Sequence, residues 1–175
     1  RNPWDSAVQF RDELITKTFG SDSGFEATYR FTIQQQVSKR FSIVIERPDL
    51  YTITCNGKTI SAREGSWWLD KSFGKIDIAR VAKIGENRVT IKASPFTIYH
   101  ELEPAYILGT FVLTPTDAGF VIVGDAKPDL QLGSWKAQGY PFFAAGVSYK
   151  LTCGLSQPSG QYLVELPKWY GSVAE

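Results

Sequence analysis

The stretch Tyr51-Thr-Ile-Thr-Cys-Asn-Gly-Lys-Thr-Ile60 carries the clearest local indication of structure in this chain. Two short runs rich in Thr and Ile flank the pair Asn56-Gly57. Asn and Gly both tolerate positive φ, so this pair favours the two-residue type I′ turn, whose twist matches that of paired strands. β-Branched residues on both sides of the turn are typical of strands. The stretch therefore predicts a tight β-hairpin.

Most of the remaining chain alternates apolar and polar residues with a period of two. In Phe25–Ile33 every odd-numbered residue is apolar and every even-numbered residue is polar, which is the pattern of a half-buried strand. Further strands are predicted, in chain order, over residues 41–45, 51–55, 88–92, 105–113, 146–153 and 161–166. Short strands separated by Gly, Asn, Asp and Pro turns predict an all-β fold, a two-layer antiparallel β-sandwich.

The predicted organisation along the chain has three parts. Residues 1–24 form a lead-in with a short helix around residues 7–14, and residues 25–124 form the sandwich module. Residues 125–175 form a loop and further strands, which either complete the sandwich or open a second, truncated module. The sequence contains no methionine, so we expect the chain to be a processed product or a segment of a larger protein.

Composition excludes several classes of function. The 175 residues are 43% hydrophobic and 21% charged, as in typical globular domains. With 19 basic and 18 acidic residues the net charge is +1, so the chain lacks the basic surface of a nucleic-acid-binding protein. Its apolar runs, such as residues 105–108, are far shorter than the roughly 20 residues of a membrane-spanning helix. We therefore expect neither a nucleic-acid partner nor a membrane span.

Metal chemistry is similarly restricted. One histidine and two cysteines nearly exclude multi-histidine sites and zinc clusters. Asp117 and Asp125 lie in turns without the acidic cluster that Ca²⁺ requires, so a structural calcium ion is an unsupported possibility and no cofactor is expected. Cys55 and Cys153 share the alternation phase of large apolar neighbours, which favours two free, buried thiols. The alternative is a disulfide between them.

The only pair of residues that suggests catalysis is Glu101 and Glu103. Two positions along a strand correspond to roughly 6.6 Å, which lies within the separation that glycosidases use for their two carboxyl groups. A solvated or ion-paired strand face explains the same spacing, and this interpretation is favoured. His100 stands beside Glu101 without a convincing nucleophile. We therefore predict no catalytic residue in this chain.

Exposed aromatic rings make carbohydrate binding the main functional hypothesis, because sugars present flat apolar C–H faces. In the first candidate cluster, the adjacent residues Trp67 and Trp68 point in opposite directions on an extended segment, so that one enters the core and one faces outward. Asp70 and Arg63 flank them as hydroxyl-binding groups.

A second candidate cluster lies in the polar stretch of residues 133–139 and just after it. It consists of Trp135, Gln138 and Tyr140, and Trp135 has the least core-like surroundings of the five tryptophans. The alternative for both clusters is packing in the core or against neighbouring domains, a role that also suits aromatic residues near the chain ends.

Several motifs carry a family resemblance through their order and spacing. They are Tyr51-Thr-Ile-Thr-Cys-Asn-Gly57, Trp67-Trp-Leu-Asp70, Ile76-Asp-Ile78, Lys83-Ile-Gly-Glu-Asn-Arg-Val-Thr-Ile91 and the segment 101–111. Together they resemble the galactose-binding-like β-sandwich modules of large bacterial glycoside hydrolases, such as the sugar-binding domains of family 2 and of rhamnosidase-type enzymes. The resemblance covers about residues 25–111 and implies a jelly-roll sandwich whose catalytic barrel is a separate domain.

The motifs themselves have structural roles. Asp77 is expected to accept backbone N–H groups at the start of a single turn over residues 77–83. Gly85 and Asn87 are expected to close the connection into the next strand.

The resemblance also implies a function. It is that of a non-catalytic accessory module of an exported bacterial glycoside hydrolase, which binds plant or host polysaccharide weakly or braces the catalytic domain. Its partners would be carbohydrate and neighbouring domains of the same polypeptide, in the periplasm, at the cell surface or in the medium. Two alternatives remain: a domain that lines the active site of a neighbouring catalytic barrel, and a free-standing surface lectin or adhesin.

Overall fold

A computed structural model of the chain describes residues 15–36, 39–124, 130–150, 152–154, 160–163 and 165. The chain divides into two compact units, Arg1–Ala126 and Lys127–Glu175. The helix predicted around residues 7–14 lies outside the described residues. No helix in the described part is both long and apolar enough to cross a bilayer.

The first unit is built from two sheets. In chain order the strands are β1 (Phe25–Ile33), β2 (Phe41–Glu46), β3 (Thr52–Cys55), β4 (Lys58–Ile60), β5 (Trp67–Trp68), β6 (Asp70–Asp77), β7 (Gly85–Ala93), β8 (Tyr106–Gly109), β9 (Val112–Thr116) and β10 (Gly119–Val123). Sheet A has the order β4-β3-β7-β1-β10-β9, and sheet B has the order β5-β6-β2-β8. The paired strands are antiparallel except β1 and β10, which meet in parallel at Ile33 and Ile122.

The two sheets pack face to face around one apolar core, so the predicted all-β sandwich is confirmed. Sheet A and sheet B both contribute buried side chains to this core. They are Ile33, Ile53, Cys55, Val89, Ile91 and Ile122 from sheet A, and Phe41, Ile43, Ile45 and Ile76 from sheet B. Burying one such aliphatic side chain stabilises the fold by about 1.5–3 kcal/mol. In β1 the odd-numbered side chains are the more buried ones and face the core, as the alternation predicted.

The predicted hairpin is present between β3 and β4, where Cys55 pairs with Lys58. Asn56 has φ 50° and Gly57 has φ 79°, which are the positive values that a type I′ turn requires. The predicted turn after β6 is also confirmed, since Asp77 accepts a hydrogen bond of 2.9 Å from the backbone N–H of Ala79.

The segment of residues 105–113 differs from its prediction as one strand. Its first part is β8, at the edge of sheet B, and its second part begins β9, at the edge of sheet A, so the chain passes from one sheet to the other within this segment. At Gly109 an added Cβ would lie 2.9 Å from the Phe41 ring and 3.0 Å from the carbonyl oxygen of Arg40. The close approach of these groups requires glycine where the chain leaves sheet B.

The second unit departs further from the prediction. The described residues of segments 146–153 and 161–166 do not form strands. Alternation indicates which faces a strand would have, but a strand also needs a hydrogen-bonding partner, and none pairs with these described residues. Cys153 is exposed, so its predicted burial is wrong. Cys55 is buried as predicted, and both thiols are free.

Candidate functional site

The outer face of sheet B, which is the face turned away from the core, carries apolar side chains. Ile43 and Ile45 point into the core, so Val44 between them belongs to the outer face. Val44 is nevertheless 0% exposed. In the strand register it lies between Tyr106 on β8 and Lys75 on β6. The outer face of sheet B is therefore covered by large side chains at its centre.

Three rings adjoin one another on this side of sheet B, and we call Trp68, Phe73 and Tyr106 the aromatic face. The Trp68 and Tyr106 ring centroids are 5.4 Å apart, and those of Phe73 and Tyr106 are 6.3 Å apart. The rings come from three strands of sheet B, namely β5, β6 and β8. Tyr106 keeps 40% of its surface exposed.

The two adjacent tryptophans only partly follow their prediction. Trp67 is 47% exposed, as expected for the outward-facing ring. Trp68 packs against Tyr106 on the outer face, so the prediction that one tryptophan enters the core is wrong. The strand register shifts between Trp67, which pairs with Gly74, and Trp68, which pairs with Asp70. Leu69 at the tip of this hairpin is 74% exposed and has φ 66°.

The polar residues of the first cluster do not converge on one point. The Asp70 carboxylate accepts hydrogen bonds of 2.8 Å and 2.9 Å from the N–H and hydroxyl of Ser72. These two bonds, with a smaller effect of Lys71, hold the Asp70 pKa below its usual value. Arg63 is exposed, and no ion pair joins it to Asp70 within the described residues. Asp70 therefore fixes its own turn at the edge of the aromatic face.

The second cluster is arranged as a small packed group within the second unit. The Trp135 indole N–H donates a 2.5 Å hydrogen bond to the Tyr149 hydroxyl. The rings of Trp135 and Tyr140 lie 5.7 Å and 6.4 Å from that of Phe143. These contacts hold the rings against one another.

Gln138 of the same cluster bonds to nearby backbone. Its side-chain oxygen accepts a hydrogen bond of 2.8 Å from the Gln131 N–H. Its amide nitrogen donates to the carbonyl oxygens of Gln131 at 2.9 Å and Ser134 at 3.3 Å. The structure thus brings the three predicted residues into one region but uses the Gln138 amide to hold a loop.

A cleft of about 200 Å³ lies at the end of β2, where Glu46 is opposite Phe73 in the strand register. Its lining comprises Glu46, Arg47, Tyr51, Ile98, Tyr99, Glu101 and Glu103. Glu101 and Glu103 lie in an irregular segment before β8, so their predicted placement on a strand is wrong. Tyrosine hydroxyls anchor this segment instead: Tyr51 donates to the Glu101 carbonyl oxygen and Tyr29 to that of Glu103, each at 2.6 Å.

The electrostatics of the cleft are acidic. Arg47 forms a 2.8 Å ion pair with Asp49, and the hydrogen bond from Arg47 lowers the Asp49 pKa. The positive charge of Arg47 is thereby largely offset. Burial raises the Tyr51 pKa, and the charges of Glu101 and Glu46 raise it further, against the opposing effect of the hydrogen bond to the Glu101 backbone. The charge of Arg47 acts in the opposite direction and lowers the Tyr51 pKa, with a smaller effect than those of the two glutamates.

His100, the single histidine, has a structural role beside this cleft. Its Nδ1 accepts a hydrogen bond of 2.9 Å from the Thr97 N–H, so the proton belongs on Nε2, which is 2.9 Å from the Leu50 carbonyl oxygen. Both ring nitrogens are therefore engaged with backbone groups. The ring joins the segment before β8 to the 3₁₀ turn Pro48–Leu50.

The outer face of sheet A provides a contrast. Its groove of about 730 Å³ is lined by polar side chains that include Glu26, Thr54, Arg88 and Thr90. Such a surface is typical of a solvated sheet face. Across the described residues, no three His, Cys, Asp or Glu side chains are grouped so as to hold a metal ion.

Phe73 and Tyr106 were not among the predicted site residues, although the sequence contains a signal for them. Phe73 is out of phase with Ile76, and Tyr106 is out of phase with Ile107, both of which face the core. A large ring on the polar phase of a strand indicates a covered or ligand-binding outer face.

Comparison of the chain with protein-family models, with curated proteins and with solved structures finds no match.

Proposed function

We propose that this chain binds polysaccharide through the aromatic face of sheet B. The observation that carries the proposal is the set of three adjoining rings, with Tyr106 40% exposed, on the face of a sheet that is turned away from the core. Sugar rings bury their apolar C–H faces against such rings, and nearby polar groups bond to their hydroxyls. Glu46 and Asp70, at the borders of the aromatic face, supply acceptors.

The biological setting of this binding is part of the same proposal. The order of the Asn-Gly, Asp-Ile and Gly-x-Asn motifs supports an accessory, non-catalytic module of an exported bacterial glycoside hydrolase. In that setting the aromatic face holds the enzyme against its polymeric substrate. The reaction itself belongs to another domain, and the hydrogen bonds of both His100 nitrogens to backbone groups are consistent with a structural role for this residue.

Affinity electrophoresis through gels that contain neutral polysaccharides tests the proposal. The variant Tyr106→Ala should lose retardation because it removes the central ring, whereas Tyr106→Phe should retain most of it. Trp135→Ala is the matched control, since its ring belongs to the second unit. Retardation that survives Tyr106→Ala but disappears in Trp135→Ala would overturn the assignment of the ligand to sheet B.

A second role, bracing a neighbouring domain, is favoured by the tip of the β5–β6 hairpin. Leu69 and Trp67 expose 74% and 47% of their surfaces side by side, and exposed apolar patches of this kind mark contact sites. Leu69→Asp should then leave glycan retardation unchanged but lower the melting temperature of the full-length protein. An unchanged melting temperature would contradict the bracing role.

A further inference from the structure

The acidic cleft and the aromatic face share one border. Glu46 follows Val44 on the outer face of sheet B and lies directly opposite Phe73 in the strand register. The same Glu46 lines the cleft with Glu101 and Glu103. The segment that carries these two glutamates leads directly into Tyr106. A chain-like ligand that leaves the rings past Phe73 therefore meets Glu46, the residue that lines the cleft with the other two glutamates.

Little positive charge compensates these carboxylates. Arg47, which also lines the cleft, forms an ion pair with Asp49, and Lys75 lies opposite Val44 in the strand register. Glu101 and Glu46 help to raise the Tyr51 pKa, which burial raises most and Arg47 lowers, and Glu103 has a small raising effect on the Tyr29 pKa. Within the described residues, the ion pairs are Arg47 with Asp49 and Arg88 with Glu86, and neither involves these three glutamates.

We infer that the aromatic face selects polysaccharides that lack carboxylate and sulfate groups and rejects polyuronates and sulfated glycans. This inference rests on the proposed function and specifies its substrate class. A uronic-acid unit seated on the rings brings its carboxylate close to the glutamates. Two like charges 4 Å apart repel by about 1 kcal/mol in water and by more near a protein surface, which corresponds to about fivefold in affinity for each close contact.

The test compares gels containing neutral xyloglucan with gels containing polygalacturonate, at about 0.01 M and about 1 M salt. Charges act over roughly 30 Å at the lower salt and only about 3 Å at the higher. The triple variant Glu46→Gln/Glu101→Gln/Glu103→Gln should gain at least about fivefold affinity for polygalacturonate at low salt. The gain should shrink at high salt.

A matched control separates local charge from net charge. The variant Glu26→Gln/Glu64→Gln/Asp117→Asn removes three exposed carboxylates elsewhere and should gain much less. Equal gains in both variants would overturn the charge selection, and so would wild-type binding to polygalacturonate that is as tight as binding to xyloglucan. If Tyr106→Ala still abolishes binding to xyloglucan, the proposed function stands and only the charge selection fails. If neither polymer binds, the proposed function and this inference both fail.

Discussion

Asn87 accepts, at its side-chain oxygen, a 2.9 Å hydrogen bond from the side-chain amide of Asn56. This bond joins the β3–β4 hairpin to the turn that precedes β7. Asn87 is 0% exposed, and its remaining bonds go to the N–H and carbonyl of Lys83 and to the carbonyl of Gly85. Two motifs that are far apart in the sequence are thus parts of one buried network.

Replacing Asn87 by alanine should lower the free energy of unfolding by about 3 kcal/mol. The change removes the side-chain partners of the Lys83 N–H and of the Lys83 and Gly85 carbonyls. It also removes one of the two acceptors of the Asn56 amide, which keeps its bond to the Val81 carbonyl. Each buried group left without a partner costs about 1–3 kcal/mol. Urea denaturation followed by tryptophan fluorescence measures the effect. Gln36→Ala, at an exposed position, is the control, and equal losses in both variants would contradict the role of the network.

Gly57→Ala should destabilise the fold by about 1–2 kcal/mol through backbone conformation alone. Gly57 has φ +79°, and an added Cβ would meet no atom within 4 Å. The loss therefore reflects the cost of positive φ for a residue with a side chain. Gly57→Asn should lose less, because Asn tolerates this conformation. Thermal denaturation that ranks the two variants in the opposite order would contradict the type I′ assignment.

Stability should fall at alkaline pH because of Tyr29 and Tyr51. Burial is the largest cause that raises the pKa of both hydroxyls above 10.0. As the pH rises, the tyrosines of the unfolded chain therefore lose their protons first. The contribution of these two tyrosines to the free energy of unfolding is complete below pH 10.0 and is lost as the pH rises through the folded-state pKa values.

Denaturation curves at several pH values between neutrality and the tyrosine range measure this dependence. Tyr29→Phe should show a shallower decline, and it should lose about 1 kcal/mol near neutral pH with its hydrogen bond to Glu103. Tyr99→Phe, which alters an exposed tyrosine, is the control. A decline in Tyr29→Phe as steep as in the unaltered protein would show that Tyr29 does not contribute.

The two thiols should react at very different rates with Ellman's reagent. Cys153 is exposed, whereas Cys55 is buried, and burial raises the Cys55 pKa. One thiol should therefore react rapidly in the native protein, and the second only after denaturation. The Cys55→Ala variant identifies which is which. A denatured, unreduced sample without reactive thiols would instead demonstrate a disulfide.

The fold of the first unit could be predicted because local chemistry and pairing agree there. Asn56-Gly57 has one favoured turn, and the alternation in Phe25–Ile33 matches one buried face. The break at Gly109 could not be read from alternation, since it depends on the Phe41 ring and on the backbone of Arg40. These groups are close in space and distant in sequence.

The candidate site was predictable only in part, for a related reason. Trp68 and Asp70 were predicted, but the contact of Trp68 with Tyr106 depends on how β5 pairs with β6. Phe73 and Tyr106 become neighbours of Trp68 only through the order of strands in sheet B. Trp135 looked exposed in a polar stretch, yet its N–H meets Tyr149.

Titration of the ¹⁵N-labelled indole groups with a neutral oligosaccharide tests the central claim most directly. Each of the five tryptophans gives one indole signal, and Trp68→Phe and Trp135→Phe assign the two that matter. If the aromatic face holds the ligand, the Trp68 signal will shift in a saturable manner while that of Trp135 stays in place. A saturable shift of Trp135 with an unmoved Trp68 would contradict this placement of the ligand.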